Sequence, residues 1–145
     1  MIAGNPGYDD RMFRVTQEQR FCYGHRLLGH PGKCARLHGH NARVFLVLRA
    51  ASVDAKGMVI DFDVLEQRAR RYLDEALDHR MLLQQGDPAC AALAGIGETF
   101  VALEVPPTAE NLAKLIFEQL LRAGLPLAEV RLEEQPGSTA SYGSP

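Results

Sequence analysis

Two histidines stand two residues apart, and a third ends the extended segment that precedes them. His38 and His40 begin a stretch in which every second residue is apolar, so both imidazoles leave the same face of a predicted strand. Exposed or hydrogen-bonded histidines are one interpretation, but polar groups at the start of an apolar face are costly unless a ligand satisfies them. His25 can supply a third nitrogen. Three neutral imidazoles would leave a zinc ion one open coordination position, as in catalytic zinc sites.

A cysteine lies close to this histidine pair. Cys34 stands four residues before His38, in a connection that contains glycine. It could be a fourth, soft ligand that closes a structural zinc site, or a free thiol beside the metal. Positive charge from zinc and from Lys33 would favour the thiolate and make it a usable base or nucleophile. The role of a buried structural cysteine suits Cys90 better.

Three further polar residues could take part in chemistry. Asp78 and His79 follow directly after a predicted helix, and an aspartate that fixes a histidine tautomer gives a proton relay. The dipole at a helix C-terminus favours a histidine there without any such role. Glu134 has the inward parity of the last predicted strand, where its carboxylate needs paired donors, such as an arginine or a guanidine-like heterocyclic edge. Glu133 has the opposite parity and is expected to be solvated.

The first half of the chain predicts the elements that carry the histidines. Residues 12–25 and 38–49 alternate in polarity and predict a hairpin with a long, glycine-containing connection. A short strand is predicted at 57–62. It leads into an amphipathic helix that Asp63 can cap, with Glu66 three residues later, as a capping box requires.

The second half predicts the elements that carry the remaining polar residues. Residues 84–98 are expected to be irregular, with one short helix that starts at Asp87 and the proline after it. A strand at 99–105 precedes a second amphipathic helix capped by Thr108. A last strand at 130–134 is expected to end the fold. The order indicates an α+β domain in which two helices cover one face of an antiparallel sheet.

Composition indicates one folded domain and excludes several classes of protein. The chain has 145 residues, of which 46% are hydrophobic and 23% charged. Residues 1–11 predict a flexible N-terminal arm, and residues 12–142 a single domain. The net charge of −2 argues against nucleic-acid binding, and the apolar runs are far shorter than the roughly 20 residues of a membrane span. Three cysteines, an odd number, argue against a disulfide framework and favour a cytoplasmic protein.

Together these motifs resemble one family. Cys34-x-x-x-His38-Gly39-His40-Asn41, preceded by Phe21-x-x-x-His25-Arg26-Leu27, is similar to the pterin synthases of the tunnelling fold (T-fold), the 6-pyruvoyl-tetrahydropterin synthase family. Within it, the resemblance is strongest to the 6-carboxytetrahydropterin synthases of queuosine biosynthesis, whose cysteine also lies four residues before the histidine pair. The likeness continues, in the same order, at residues 59–62, 77–79, 107–112 and 130–134.

The resemblance implies a fold and a metal centre. It implies a four-stranded antiparallel sheet with two helices on one face, which oligomerises into a barrel. It also implies zinc bound by His25, His38 and His40, with Cys34 as the general base. Family members assemble as hexamers with pockets at subunit boundaries, so a homohexamer is expected.

The resemblance also implies a substrate and the residues that handle it. Asp78 and His79 would form the relay pair, and Glu134 would anchor the pterin. The substrate would be 7,8-dihydroneopterin triphosphate, converted to 6-carboxytetrahydropterin, acetaldehyde and triphosphate. A pyruvoyl-type synthase that keeps the carbon chain and a non-catalytic zinc- or pterin-binding module are the alternatives. Arg26 and Lys33 are candidates for contacts with the triphosphate.

Overall fold

The two longest strands form the hairpin that the alternation predicts. In the computed structural model, which describes residues 11–144, β1 (Phe13–His25) pairs antiparallel with β2 (His38–Ala50) along its whole length. The pairing runs from Phe13 opposite Ala50 to His25 opposite His38. The connection therefore starts and ends at a predicted metal ligand. The predicted arm at residues 1–11 lies outside the described residues except for its last position.

The hairpin is the centre of a six-stranded mixed sheet with the order β4-β3-β1-β2-β5-β6. On one side, β3 and β4 continue the sheet in parallel; on the other, β5 and β6 continue it antiparallel. The remaining strands are β3 (Arg80–Gln84), β4 (Phe100–Leu103), β5 (Glu129–Gln135) and β6 (Ser138–Gly143).

Three helices accompany the sheet: α1 (Phe62–Ala76), α2 (Pro88–Gly95) and α3 (Ala109–Arg122). Leu65 and Leu73 of α1 and Ile116 of α3 are fully buried and belong to the same core cluster as Val44 and Leu46 of β2. Burial of these apolar faces is what holds α1 and α3 on one side of the sheet. None of the helices within residues 11–144 combines the length and the apolar character that a membrane span needs.

Two of the predicted helix starts are confirmed. Asp87 caps α2 by accepting a 2.8 Å hydrogen bond from the N–H of Ala89. Thr108 caps α3 in the same way, with a 3.2 Å bond from the N–H of Asn111. Both positions follow the rule that a short polar side chain satisfies a free N–H in the first turn of a helix.

The four-stranded, purely antiparallel sheet predicted from the sequence is wrong in its strand count and in its pairing. The prediction omitted β3 because residues 80–84 follow a helix directly and pair in parallel with a strand far away in the sequence. It omitted β6 because that strand lies at the edge of the sheet and is mostly exposed, so it has no apolar alternation.

The predicted strand at 57–62 is also wrong. Asp54 folds this segment into a turn, because its Oδ1 accepts hydrogen bonds from the N–H groups of Lys56 and Met58 at 2.8 and 3.0 Å. The cap of α1 is Asp61 rather than Asp63, since Asp61 Oδ1 accepts a 2.8 Å bond from the N–H of Asp63. Both aspartates satisfy the capping pattern, and the helix begins at the earlier one.

Candidate metal centre and the groups around it

The hairpin register brings three imidazoles together at the end of the β1–β2 ribbon. His25 and His38 are opposite each other, and His40 follows two residues later on the same face. The ring centroids are 4.6 to 5.0 Å apart. The Nε2 atom of His25 lies 3.1 Å from Nε2 of His38 and 3.1 Å from Nε2 of His40. The pairing of the two strands therefore brings the histidine that ends β1 and the two histidines that begin β2 into one cluster.

Two backbone carbonyls determine which nitrogens face that point. Nδ1 of His25 lies 2.7 Å from the carbonyl oxygen of Pro107, and Nδ1 of His38 lies 2.6 Å from that of Arg36. A carbonyl oxygen only accepts, so each Nδ1 carries the hydrogen and each Nε2 presents a lone pair. Two lone pairs 3.1 Å apart cannot bond to each other. A cation between them removes the repulsion, so this donor set fits a divalent transition metal.

Burial prepares the same rings for metal binding. The His25 side chain is only 3% exposed. Burial lowers the pKa of His25 and of His40 from its ordinary value, because it disfavours the charged imidazolium. A metal ligand must be the neutral imidazole. The fold therefore holds these two histidines in the protonation state that a metal requires.

A carboxylate and a phenol complete the inner surroundings of the cluster. Glu134 Oε1, on β5, lies 3.3 Å from Nε2 of His25 and 3.5 Å from Nε2 of His40. The Tyr23 hydroxyl donates a 3.0 Å hydrogen bond to the same oxygen. Burial of the Tyr23 ring, together with the negative charge of Glu134, raises the pKa of this tyrosine. Tyr23 is therefore a neutral donor to an ionised acceptor.

Cys34 lies on the same cavity but outside the histidine cluster. Together with His25, Glu134 and Thr108 at the start of α3, it lines a cavity of about 470 Å³. Its sulfur is not among the three-histidine ligand atoms that lie within 4.8 Å of one another. The Cys34 carbonyl accepts a 2.7 Å hydrogen bond from the N–H of Leu27, which closes the connection between β1 and β2. This placement favours a free thiol beside the centre over a fourth metal ligand.

Asp78 and His79 form the bonded pair that the sequence predicts. His79 Nδ1 lies 2.8 Å from Asp78 Oδ2, and Asp78 Oδ1 accepts a 2.9 Å bond from the N–H of Cys22. Burial alone would raise the pKa of Asp78, but the hydrogen bonds from Cys22 and His79 outweigh it, so its pKa is lowered. His79 has φ of 56°, the one positive φ among the described residues other than glycine. Its ring is 80% exposed.

The pair does not reach the metal centre of its own chain. Cys22 pairs with Asn41 in the ribbon, one position away from the pair formed by Tyr23 and His40. Successive strand residues point to opposite faces. Asp78 and His79 line a cavity of about 710 Å³ together with Cys22 and Asn41, and His79 also lines one of about 510 Å³ together with Tyr23 and His40. Cys34 lines neither of them, so the predicted relay and the predicted base lie in different cavities of one chain.

The structure also determines the environment of Arg26, one of the two candidates for triphosphate contacts. Arg26 forms a two-point ion pair with Asp87, with Nε 2.8 Å from Oδ2 and a second, shorter contact between Nη2 and Oδ1. The Asp87 side chain is fully buried. This pair ties the end of β1 to the start of α2, and it occupies the guanidinium that a phosphate would need.

The comparisons with known proteins agree with the motifs. A model of the 6-pyruvoyl tetrahydropterin synthase family matches residues 14–145. The chain belongs to this family.

Several relatives in the family carry a more specific name. The chain is 36% identical over 104 residues to the 6-carboxy-5,6,7,8-tetrahydropterin synthase of Rickettsia bellii, an alignment that covers 70% of this chain and 75% of the relative. It is 37% identical over 137 residues to a probable 6-carboxy-5,6,7,8-tetrahydropterin synthase of Halobacterium salinarum, covering 90% and 83%. The synthase of Haemophilus influenzae is 31% identical over 140 residues, covering 90% and 99%.

Solved structures of the family share the fold. An uncharacterized protein from Wolinella succinogenes superposes with a TM-score of 0.76 and 26% identity, covering 93% of this chain and 99% of that one. The 6-pyruvoyl tetrahydropterin synthase of Caenorhabditis elegans superposes with a TM-score of 0.68 and 26% identity, covering 93% and 97%. The six-stranded sheet described above is therefore a T-fold.

Sequence reasoning missed two residues that the structure adds to the site. Tyr23 stands two residues before His25 on β1 and therefore points to the same face, which is the signal that could have found it. Cys22 contacts the relay pair, and its sulfur lies within 4.8 Å of ligand atoms of Asp78 and His79. Both contacts depend on chain segments more than 50 residues away.

Proposed function

We propose that this protein is a zinc-dependent carbon–carbon lyase that converts 7,8-dihydroneopterin triphosphate and one water to 6-carboxy-5,6,7,8-tetrahydropterin, acetaldehyde and triphosphate. The observation that carries the proposal is the convergence of three histidine Nε2 atoms, with Cys34 nearby but outside the cluster. The relatives named 6-carboxy-5,6,7,8-tetrahydropterin synthase support the choice of reaction. The product of the proposed reaction would serve as a precursor of 7-deazapurines such as queuosine, and the free cysteines of this chain suit a cytoplasmic enzyme.

His25, His38 and His40 would hold the zinc. Two nitrogens bound to one zinc ion at tetrahedral angles lie about 3.3 Å apart, so their observed separation of 3.1 Å needs only a small adjustment. Bound zinc supplies Lewis acidity that makes the hydroxyl groups of the substrate side chain, and the C–H beside them, more acidic. Cys34 would remove the proton from that C–H, because its sulfur lines the cavity that contains the centre.

Glu134 would anchor the pterin ring. A carboxylate can accept two parallel hydrogen bonds from a ring N–H and an exocyclic amine, which is the pattern of a pterin edge. Tyr23 occupies one of about four lone-pair directions on Glu134, so acceptors remain for the substrate. The anchor orients the ring without contact to the bonds that react.

Asp78 and His79 would exchange a proton with a substrate hydroxyl of a neighbouring copy. Within one chain the pair and Cys34 line different cavities, so the pair would act together with the Cys34 of another copy. We therefore propose a homo-oligomer, a hexamer by analogy with the family, with pockets at subunit boundaries.

Product analysis tests the reaction. Purified zinc-loaded protein is incubated with 7,8-dihydroneopterin triphosphate, and we expect acetaldehyde and 6-carboxytetrahydropterin in equal amounts. The 6-pyruvoyl product without acetaldehyde would assign the second candidate function, which the match to the 6-pyruvoyl tetrahydropterin synthase family favours. Absence of both products would refute the proposal.

Two glutamates of β5 provide a matched test of the anchor. Glu129 forms an ion pair with Arg14 at 3.3 Å, and it lines neither the cavity of Cys34 and Glu134 nor that of Asp78 and His79. Hydrogen bonds to a charged group contribute about 1.5 to 3 kcal/mol, so we expect Glu134→Ala to raise KM about 10- to 150-fold. Glu129→Ala should leave KM within about twofold of the wild type. Equal effects of the two variants would remove Glu134 from the site.

A further inference from the structure

The Tyr23 hydroxyl is a buried polar group for which the proposed mechanism has no chemical step. Its residue is only 2% exposed. The ring stacks on Phe21 at 5.5 Å and meets the ring of His25 edge-on at 5.2 Å, with His40 at 5.8 Å. A phenol held on three sides has little rotational freedom, so the position of its oxygen is fixed before any ligand arrives.

The carboxylate that this oxygen contacts lies beside the histidine cluster. Glu134 Oε1 lies 3.3 Å from Nε2 of His25 and 3.5 Å from Nε2 of His40. The hydrogen of neutral His25 is on Nδ1, so its Nε2 cannot donate a hydrogen bond to the carboxylate. Within residues 11–144, the Tyr23 hydroxyl is the one group that donates a hydrogen bond to Glu134.

The position of Glu134 in the sheet leaves its side chain room to move unless another residue holds it. Glu134 lies near the end of β5, next to the irregularity in the pairing of β5 with β6 between Glu133 and Gln135. Its side chain is 21% exposed, so it has room to swing toward solvent. A charge-assisted bond to an immobile donor restricts that motion.

We propose that Tyr23 is a positioning residue that orients the Glu134 carboxylate toward the pterin ring of the substrate. The hydrogen bond from Tyr23 holds Oε1 of Glu134 in place and so fixes the rotamer of the side chain. That rotamer also sets the position of Oε2, so both acceptor oxygens are in place before the substrate binds. The inference rests on the proposed function of Glu134 as the pterin anchor. It predicts a loss of substrate affinity rather than of the chemical step when the hydroxyl is removed.

The test compares Tyr23→Phe with Tyr72→Phe in the zinc-loaded protein. Tyr72 lies on α1, packs against the core, and also carries a hydroxyl whose removal leaves the site intact. We expect Tyr23→Phe to raise KM for 7,8-dihydroneopterin triphosphate, and the Kd of the fluorescent oxidised pterin 6-carboxypterin, about five- to tenfold. We also expect kcat within about twofold of the wild type and a full zinc content. Tyr72→Phe should match the wild type in all four measurements.

A second substitution separates positioning from packing. In a Glu134→Gln background the contact has lost its charged acceptor, so adding Tyr23→Phe should change the Kd of 6-carboxypterin less than twofold. An undiminished effect in that background, an unchanged Kd in the single variant, or loss of zinc from Tyr23→Phe would each overturn the inference. If the wild type binds 6-carboxypterin with this coupling but does not turn over the triphosphate, the proposed reaction fails and the positioning role stands. A wild type that binds no pterin overturns both.

Discussion

Removal of one imidazole should abolish the stabilisation of this fold by zinc. His38 is the best position for the substitution, because it is half-exposed at the first residue of β2 and its backbone-directed bond is the single one to Arg36. Truncation of the buried His25 would also open a cavity, and its effect on stability would be mixed with that of the lost ligand. His38→Ala therefore isolates the metal.

The expected magnitude follows from mass action. A ligand that binds only the folded state at a free concentration of 100 times Kd adds about 2.7 kcal/mol. For a domain of 145 residues, about 3 to 4 °C per kcal/mol gives a rise in Tm of about 8 to 11 °C for the wild type. A site that is a hundredfold weaker would add about 0.4 kcal/mol at the same free zinc, or about 1 to 2 °C.

The assay is thermal unfolding, followed by circular dichroism, of metal-free protein at pH 7.5 in buffers of fixed free zinc concentration. His30→Ala is the matched control, because His30 lies in the same connection and contacts the N–H of Gly32 rather than the cluster. It should retain the full rise in Tm. The same rise in His38→Ala as in the wild type, or loss of the rise in His30→Ala, would show that the three imidazoles do not form the metal site.

Three further outcomes are expected. Cys34→Ala should keep the zinc-dependent rise in Tm while turnover falls about 10²- to 10⁴-fold, as loss of a general base would require; loss of zinc instead would identify Cys34 as a ligand. The bond from Arg26 lowers the pKa of Asp87, so its contribution to stability is present above the ordinary pKa near 3.9 and is lost as pH falls through the lowered value. Urea unfolding should therefore separate Asp87→Asn from the wild type at pH 7 and bring the two together in acid, once the pH has fallen below the lowered pKa of Asp87; a constant difference would contradict this. Gly143→Ala should lower Tm because its Cβ would overlap the backbone of the adjoining strand, whereas Gly95→Ala meets no atom within 4 Å and should be neutral or stabilising; equal Tm values for the two variants would refute the steric argument.

The sequence predicted those parts of the site that depend on local pattern. Alternation along two strands gave the hairpin, and the hairpin register alone is enough to place His25 opposite His38. Capping chemistry gave the starts of α2 and α3. Each of these signals acts over a few residues, so the residues themselves carry the information.

The parts that were missed or wrong depend on contacts between distant segments. The hydrogen bond from Tyr23 to Glu134 joins residues 111 positions apart, and no sequence pattern near either residue predicts it. The edge strand β6 is short and mostly exposed, and it is held by its pairing with β5 and by the contact of Tyr142 with Phe117 of α3, neither of which a local pattern predicts. The face on which His79 lies follows from a positive φ after α1, which a parity argument cannot give.

The separation of Cys34 and His79 into different cavities of one chain has a genetic consequence for the proposed oligomer. Two chains that are each inactive, one lacking the thiol and the other lacking the imidazole, would complement each other on co-assembly. In a random equal mixture, roughly one quarter of the pockets would combine an intact Cys34 from one copy with an intact His79 from another. A defective allele would then impair pockets that also contain the product of the normal allele.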